Sequence, residues 1–109
     1  MNLFLNKKVG ILGLSRTGIS AIKFLKRKGF ATLVWDDNKK ILLKTKKEIP
    51  TIKYLNSVSL KKIEFLIVSP GIPYIGKKKH SIIKKAEINN IEIINDIELF
   101  FRFNPEENY

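Results

Sequence analysis

The sequence predicts a three-layer α/β domain built on a parallel sheet of about five strands. Short apolar segments alternate with segments of helical apolar spacing, in the order β-α-β-α-β-(α)-β-α-β-α. The best-defined apolar segments have no polar face, as expected for strands that helices cover on both sides. Alternation of this kind is typical of parallel sheets with right-handed crossovers.

Each element follows from its local pattern. An apolar run ending at a glycine predicts the first strand, and prolines and glycines mark the ends of later segments. The predicted strands are residues 9–12, 31–35, 51–55, 63–69 and 91–94. The predicted helices are residues 18–28, 39–47, 80–89 and 97–103, with a short helix or a loop at 57–62. In the second helix Ile41, Leu42 and Leu43 are the expected apolar contacts; in the next, Ile82, Ile83, Ala86 and Ile88. Asp96 is the expected N-cap of the last helix.

Length and composition limit the class of protein. The 109 residues suffice for a single domain, 1–109, and a hydrophobic fraction of 44% supports a packed core. The absence of cysteine excludes disulfides and thiolate metal sites. Because we find neither a signal-peptide pattern nor an apolar run of about 20 residues, we expect a cytoplasmic protein that does not contact membranes.

The net charge of +11 raises the possibility of nucleic-acid binding. Only three of the 21 basic residues are arginine, whereas nucleic-acid sites usually show clustered arginine or stacking aromatics. The lysines fit a coding sequence rich in A and T equally well. We therefore expect no nucleic-acid partner.

Unusual residues follow three of the predicted strands, at positions 13–18, 36–38 and 69–73. In parallel α/β sheets, ligands bind outside the carboxyl ends of the strands. The first segment, G-L-S-R-T-G, is similar to the dinucleotide motif G-x-G-x-x-G, with Ser15 at the second glycine. Together with the start of the following helix it predicts an anion site. The alternative is a tight turn that binds nothing.

The other two segments also allow two interpretations. Asp36 could accept hydrogen bonds from a ribose or a base, or it could be a turn residue. The S-P-G-I-P turn at 69–73 could present backbone N–H groups and the Ser69 hydroxyl to a ligand, or it could be a plain turn. His80, the single histidine, is interpreted as a surface residue at a helix start rather than a metal ligand or catalyst. No phosphate-binding P-loop, catalytic triad or metal cluster is recognisable, so we predict no catalytic residues and no metal site.

Four segments together resemble the N-terminal domain of the Mur ligases, most nearly that of the member that adds D-glutamate. They read K-V-G-I-L-G-L-S-R-T-G at 8–18, V-W-D-D at 34–37, I-V-S-P-G-I-P at 67–73 and I-N-D-I-E-L-F at 94–100. The resemblance extends over essentially the whole chain. It implies a Rossmann-like domain that holds the UDP end of UDP-N-acetylmuramoyl-L-alanine. The binding residues implied by the motifs are Ser15, Arg16, Thr17, Gly18, Asp36, Asp37, Asn38, Ser69, Pro70 and Gly71. Asn38 stands where members of the family often have a basic residue.

The resemblance also implies a reaction, in which ATP phosphorylates the substrate carboxylate and the amine of D-glutamate then attacks. ATP and Mg²⁺ belong to a central ATPase domain, and a C-terminal domain helps to bind ATP and the amino acid. Neither domain is recognisable in this chain, which we therefore expect to bind substrate without catalysing. Two alternatives are an NAD(P)-binding domain of a dehydrogenase or regulator, disfavoured by Ser15 and the S-P-G-I-P turn, and a nucleic-acid-binding module.

Overall fold

The computed structural model describes residues 7–14, 18–73, 76 and 78–103. Strands and helices alternate along the chain: β1 (Lys8–Leu12), α1 (Gly18–Arg27), β2 (Ala31–Trp35), α2 (Lys39–Glu48), β3 (Lys53–Tyr54), α3 (Ser57–Leu60), β4 (Phe65–Val68), α4 (Ser81–Ile88), β5 (Glu92–Ile94) and α5 (Asp96–Phe103). Within this described part, no helix is long and apolar enough to cross a membrane.

The strands form one parallel sheet in the order β3-β2-β1-β4-β5, which confirms the predicted fold class. β1 lies at the centre, where Leu12 pairs with Trp35 on one side and Val68 on the other. The three strands β1, β2 and β4 therefore end at the same level. The turns that follow them meet at one edge of the sheet, called the carboxyl edge below.

Helices cover both faces of the sheet, because side chains in a strand point alternately to its two faces. Val9 and Ile11 of β1 face a core shared with α1, α2 and α5, whereas Leu12 faces a core shared with α3 and α4. The side chains of β4 alternate between the same two cores, and the strand is buried along its whole length. These two cores on one sheet give the three-layer arrangement.

Strands β3 and β4 are shorter than predicted. β3 has two residues instead of 51–55, since it lies at the edge of the sheet and pairs only with β2. β4 begins at Phe65 rather than Ile63, although the Ile63 side chain is buried in the α3–α4 core. An apolar run indicates burial, but a buried residue need not pair with a neighbouring strand.

Two expected apolar contacts are wrong. Leu43 in α2 is 61% exposed and Ile88 in α4 is 78% exposed. Each helical residue is rotated by about 100° from the one before, so Ile88 lies about 140° from the buried Ile83. In α2 the buried positions are Leu42 and Thr45, and the Thr45 hydroxyl donates to the Ile41 carbonyl oxygen at 2.8 Å.

Helix α5 begins one residue earlier than predicted. The Asn95 carboxamide accepts from the Glu98 backbone N–H at 2.8 Å, so Asn95, and not Asp96, supplies the capping bond. At the other end of α5, Phe103 packs against Phe24 and Phe65 with ring centroids 6.4 and 6.3 Å apart. The last turn of α5 is thereby fixed to the core beneath α1.

Candidate functional site

The turns after β1 and β4 are joined by a hydrogen bond from the Ser69 hydroxyl to the Gly13 carbonyl oxygen, at 2.9 Å. Gly13 has a φ of 93°, and a Cβ there would lie 2.8 Å from the Ser69 Cβ. A side chain at position 13 would therefore be strained in its backbone and would displace Ser69. The first glycine of the motif thus allows these two turns to approach.

Asp36 joins the turn after β2 to the turn after β1. Its Oδ2 accepts from the Leu14 backbone N–H at 2.9 Å, and its Oδ1 accepts from the Asn38 N–H at 2.8 Å. The Gly13 N–H also donates to the Trp35 carbonyl oxygen at 2.8 Å. Both carboxylate oxygens of Asp36 are therefore engaged within the protein, so Asp36 orders the two turns whether or not it also contacts a ligand.

Two more of the predicted site residues lie where helices begin. Asn38 is the N-cap of α2, and its side chain accepts from the backbone N–H of Lys40 at 2.9 Å. Gly18 is the buried first residue of α1, and a Cβ there would lie 2.9 Å from Leu14 Cδ2. Asn38 therefore stabilises the start of α2, and Gly18 allows α1 to begin close to Leu14.

Asp37 takes part in a contact that the sequence did not reveal. Its carboxylate accepts from the indole Nε1–H of Trp35 at 2.8 Å and lies 2.9 Å from Nε2 of His80. The hydrogen bond from Trp35, followed by the hydrogen bond and the electrostatic interaction with His80, lowers the pKa of Asp37 below its ordinary value, against the opposing effect of partial burial.

His80 is accordingly not the surface residue that the sequence predicted, because only 12% of its side chain is exposed. It is the N-cap of α4, and it meets Asp37 from 43 residues away in the sequence. A histidine just before an apolar helical pattern indicates a helix start. No local pattern could have indicated its partner.

A cleft of about 600 Å³ lies beside the Asp37–His80 pair, between the end of β2 and the starts of α3 and α4. Trp35 contributes an aromatic ring to this cleft, and Asn56, Ser57 and Lys85 contribute polar groups. The Lys85 ammonium donates to the Ser57 hydroxyl at 2.8 Å. An aromatic surface with a few convergent polar groups is typical of small-molecule sites of this size.

No residue of the S-P-G-I-P turn lines this cleft. Pro70 lines a separate recess of about 270 Å³, between the ends of β4 and β5 and the start of α5. Gly71 is exposed, and no heavy atom lies within 4 Å of the position a Cβ would take. Ser15, Arg16 and Thr17 lie outside the described residues.

The opposite edge of the sheet carries a recess of similar size, about 600 Å³, lined by parts of α1, the start of β2 and the segment around β3. None of the predicted site residues that the structure describes lines it. Among the described residues, no group of three or more His, Asp or Glu side chains is arranged to hold a metal ion.

Residues 7–95 match the family model of the Mur ligase MurD-like N-terminal domain. Similar curated proteins are UDP-N-acetylmuramoylalanine--D-glutamate ligases. That of Roseobacter denitrificans is 39% identical over 86% of this chain and 20% of its own length, and that of Wolbachia sp. subsp. Brugia malayi is 35% identical over 92% and 20%. The chain thus spans about a fifth of the length of these relatives.

Solved structures with a similar fold include a dehydrogenase and a repressor. Shikimate dehydrogenase from Aquifex aeolicus has a TM-score of 0.63 at 14% identity, covering 94% of this chain and 50% of that one. RSP, a Rex-family repressor, has a TM-score of 0.53 at 15% identity, over 94% of this chain and 61% of that one. At such identities the likeness extends to the Rossmann-like fold alone.

Three observations point to the same family. They are the parallel strand order β3-β2-β1-β4-β5, the turns joined through Asp36 and Ser69, and the match of the family model to residues 7–95. The chain belongs to the family of MurD-like Mur ligase N-terminal domains, which are parts of peptidoglycan-synthesis ligases.

Proposed function

We propose that this domain binds the UDP end of UDP-N-acetylmuramoyl-L-alanine for a ligase that joins this substrate to D-glutamate. The observation that carries the proposal is the hydrogen-bonded arrangement of the turns after β1, β2 and β4 at the carboxyl edge. It occurs in a chain whose relatives are named for this substrate. Parallel α/β domains bind nucleotides at this edge, where the strand order reverses around the central strand.

The diphosphate and the uridine would use different parts of the edge. The start of α1 at Gly18 would offer backbone N–H groups and the positive end of a helix dipole to the diphosphate. Ser15, Arg16 and Thr17, to which the motif assigns the same role, lie outside the described residues. The turn at 36–38 would contact the nucleoside from the side of the cleft beside Asp37, which is large enough for a nucleobase. The turn at 69–71 would contact it from the side of the separate recess that Ser69 and Pro70 line.

The domain's contribution to the reaction would be binding and orientation. ATP and Mg²⁺ would be bound by the other domains of the ligase, where phosphorylation of the substrate carboxylate would take place. Substrate held here by its UDP end would present its distant carboxylate to that site. Binding energy from the remote nucleotide would then help to orient the reacting group.

The test is an NMR titration of the ¹⁵N-labelled chain with UDP-N-acetylmuramoyl-L-alanine, with NAD as a parallel control. We expect saturable shifts at Gly13, Leu14 and residues 36–38 with the UDP ligand only. At about 10 mM ligand, a Kd as weak as ~1 mM would still give nearly complete saturation. Absence of such shifts would overturn the proposal, and shifts with NAD alone would favour a dehydrogenase-like role.

Matched variants locate the site. Asp36→Ala removes a carboxylate at the carboxyl edge, and Glu64→Ala removes an exposed one just before β4, at the opposite edge. Both change the net charge equally. We expect Asp36→Ala to weaken binding of the UDP ligand and Glu64→Ala to leave it unchanged.

A further inference from the structure

His80 lies between two of the turns that form the proposed nucleotide site. Its backbone N–H donates to the Pro73 carbonyl oxygen at 2.9 Å, at the end of the S-P-G-I-P turn. Its side chain reaches Asp37 in the turn after β2, with Nε2 2.9 Å from Oδ2 and 3.1 Å from Oδ1. One residue therefore connects the turn after β4 to the turn after β2.

The two ring nitrogens of His80 have different partners, and these determine the tautomer. Nδ1 accepts from the Ile82 backbone N–H at 3.1 Å, so it carries no proton in this arrangement. Nε2 then bears the hydrogen and donates it to the Asp37 carboxylate. The imidazole caps α4 with one nitrogen and restrains Asp37 with the other.

Asp37 has little else to hold it in place. About 70% of its side chain is exposed, and its other described side-chain partner is the indole of Trp35, two residues before it. That bond stays within the turn and its strand, whereas the bond to His80 connects the turn to α4. Asp36 already ties this turn to the turn after β1, so the bond to His80 determines the position of the Asp37 side chain relative to α4.

We propose that His80 is a positioning residue for nucleotide binding, which acts through Asp37 to fix the turn at 36–38 against the start of α4. This inference rests on the proposed binding of UDP. His80 also forms part of the wall of the 600 Å³ cleft. A turn that is fixed before the ligand arrives needs less ordering on binding, and this raises affinity.

His80→Asn separates positioning from capping. Asparagine can place Oδ1 where the imidazole has Nδ1, and it is a strongly preferred N-cap. It has no atom corresponding to Nε2 and cannot reach Asp37. His80→Ala, in contrast, removes both contacts. We expect His80→Asn to unfold near the wild-type temperature and His80→Ala to unfold at a lower one.

The decisive measurement is UDP affinity, by calorimetry or NMR, in a double-mutant cycle of His80→Asn and Asp37→Ala. We expect His80→Asn to raise the Kd for UDP about three- to tenfold, as for one lost hydrogen bond. If His80 acts through Asp37, the double variant should bind no more weakly than Asp37→Ala alone. Additive losses would overturn action through Asp37.

A ligand-free readout makes the two proposals distinguishable. Imidazole ¹⁵N shifts should show the Nε2–H tautomer, and the amides of Asp37 and Asn38 should shift in His80→Asn without ligand. If the wild-type chain does not bind UDP, the proposed function fails, and with it the role in affinity. If it binds UDP and His80→Asn binds equally well, the positioning role alone is overturned.

Discussion

The two edges of the sheet are held together by different forces. At the edge where the strands begin, called the amino edge below, an aromatic cluster is formed by residues at the starts of β2 and β4 and at the end of α5. In it Phe30 lies 5.8 Å from Phe65 and 5.7 Å from Phe103, between ring centroids. At the carboxyl edge, the corresponding contacts are hydrogen bonds between turns, from the Ser69 hydroxyl to Gly13 and from the Leu14 N–H to Asp36.

The two kinds of contact suit different roles, fold stability at the amino edge and ligand binding at the carboxyl edge. Aromatic packing excludes water and stabilises the fold through burial of large apolar side chains. The hydrogen-bonded turns contribute less burial and keep backbone and side-chain polar groups near solvent. If this division holds, changes at the amino edge should alter the free energy of unfolding alone, and changes at the carboxyl edge should alter UDP affinity as well.

The largest effect is expected from Phe65→Ala. Phe65 is 6% exposed and contacts both Phe30 and Phe103, so its truncation should cost about 3–5 kcal/mol in unfolding free energy. Urea denaturation measures this loss. Phe101→Ala is the control, because Phe101 is 52% exposed and its loss should cost much less. An equal loss in both variants would contradict a stabilising cluster at the amino edge.

Asp36→Ala should have an intermediate effect on stability and a clear effect on binding. It leaves the backbone N–H groups of Leu14 and Asn38 without their acceptor, at a cost of about 1–3 kcal/mol in unfolding free energy. Because two turns of the proposed site lose the side-chain hydrogen bond that joins them, UDP affinity should fall too. Denaturation and calorimetry on the same sample test this. Full affinity together with lowered stability would assign Asp36 to the fold alone.

Arg102→Ala should lower the unfolding free energy by less than about 1 kcal/mol, although the ion pair of Arg102 with Glu92 has favourable geometry. Arg102 makes two hydrogen bonds of 2.8 Å to the Glu92 carboxylate, but 36% of the Arg102 side chain and 53% of the Glu92 side chain are exposed, and ion pairs open to solvent contribute little. The loss should shrink further in high salt, which screens exposed charges. UDP affinity should not change. A reduced affinity would show that the two edges are coupled.

The smallest expected effect is on the pH dependence of the unfolding free energy. Because the pKa of Asp37 is lowered in the folded state, the ionised carboxylate favours folding. This contribution is complete above the ordinary pKa, about 3.9, and is lost as the pH falls through the lower, folded value. Urea unfolding between pH 6 and pH 3 should therefore show a shallower pH dependence in Asp37→Asn than in wild type.

Trp35→Phe supplies the second test of that pH dependence. The indole N–H of Trp35 is the main cause of the lowered pKa of Asp37, and phenylalanine keeps an aromatic ring without the donor. We expect this variant to lose part of the pH dependence. An unaltered slope would mean that Trp35 does not stabilise the Asp37 carboxylate in solution.

Prediction from the sequence succeeded where the signal was local. The second strand, Ala31–Trp35, was predicted at its observed bounds, and the helices at α1, α2 and α4 were predicted within two residues at each end. Apolar runs and helical spacing are properties of neighbouring residues, so they can be recognised without the fold. The errors at Leu43 and Ile88 arose because local apolarity does not specify which face of a helix meets the sheet.

The sequence by itself determined the alternation of strands and helices, the parallel sheet, and the three segments that follow β1, β2 and β4. Only the tertiary structure decided what those segments do to one another: that Asp36 accepts from Leu14, that Ser69 donates to Gly13, and that Asp37 meets His80. These pairs are separated by 22, 56 and 43 residues. The physical reason is that such contacts exist only once the sheet has aligned the ends of its strands, and a single sequence records no register between them.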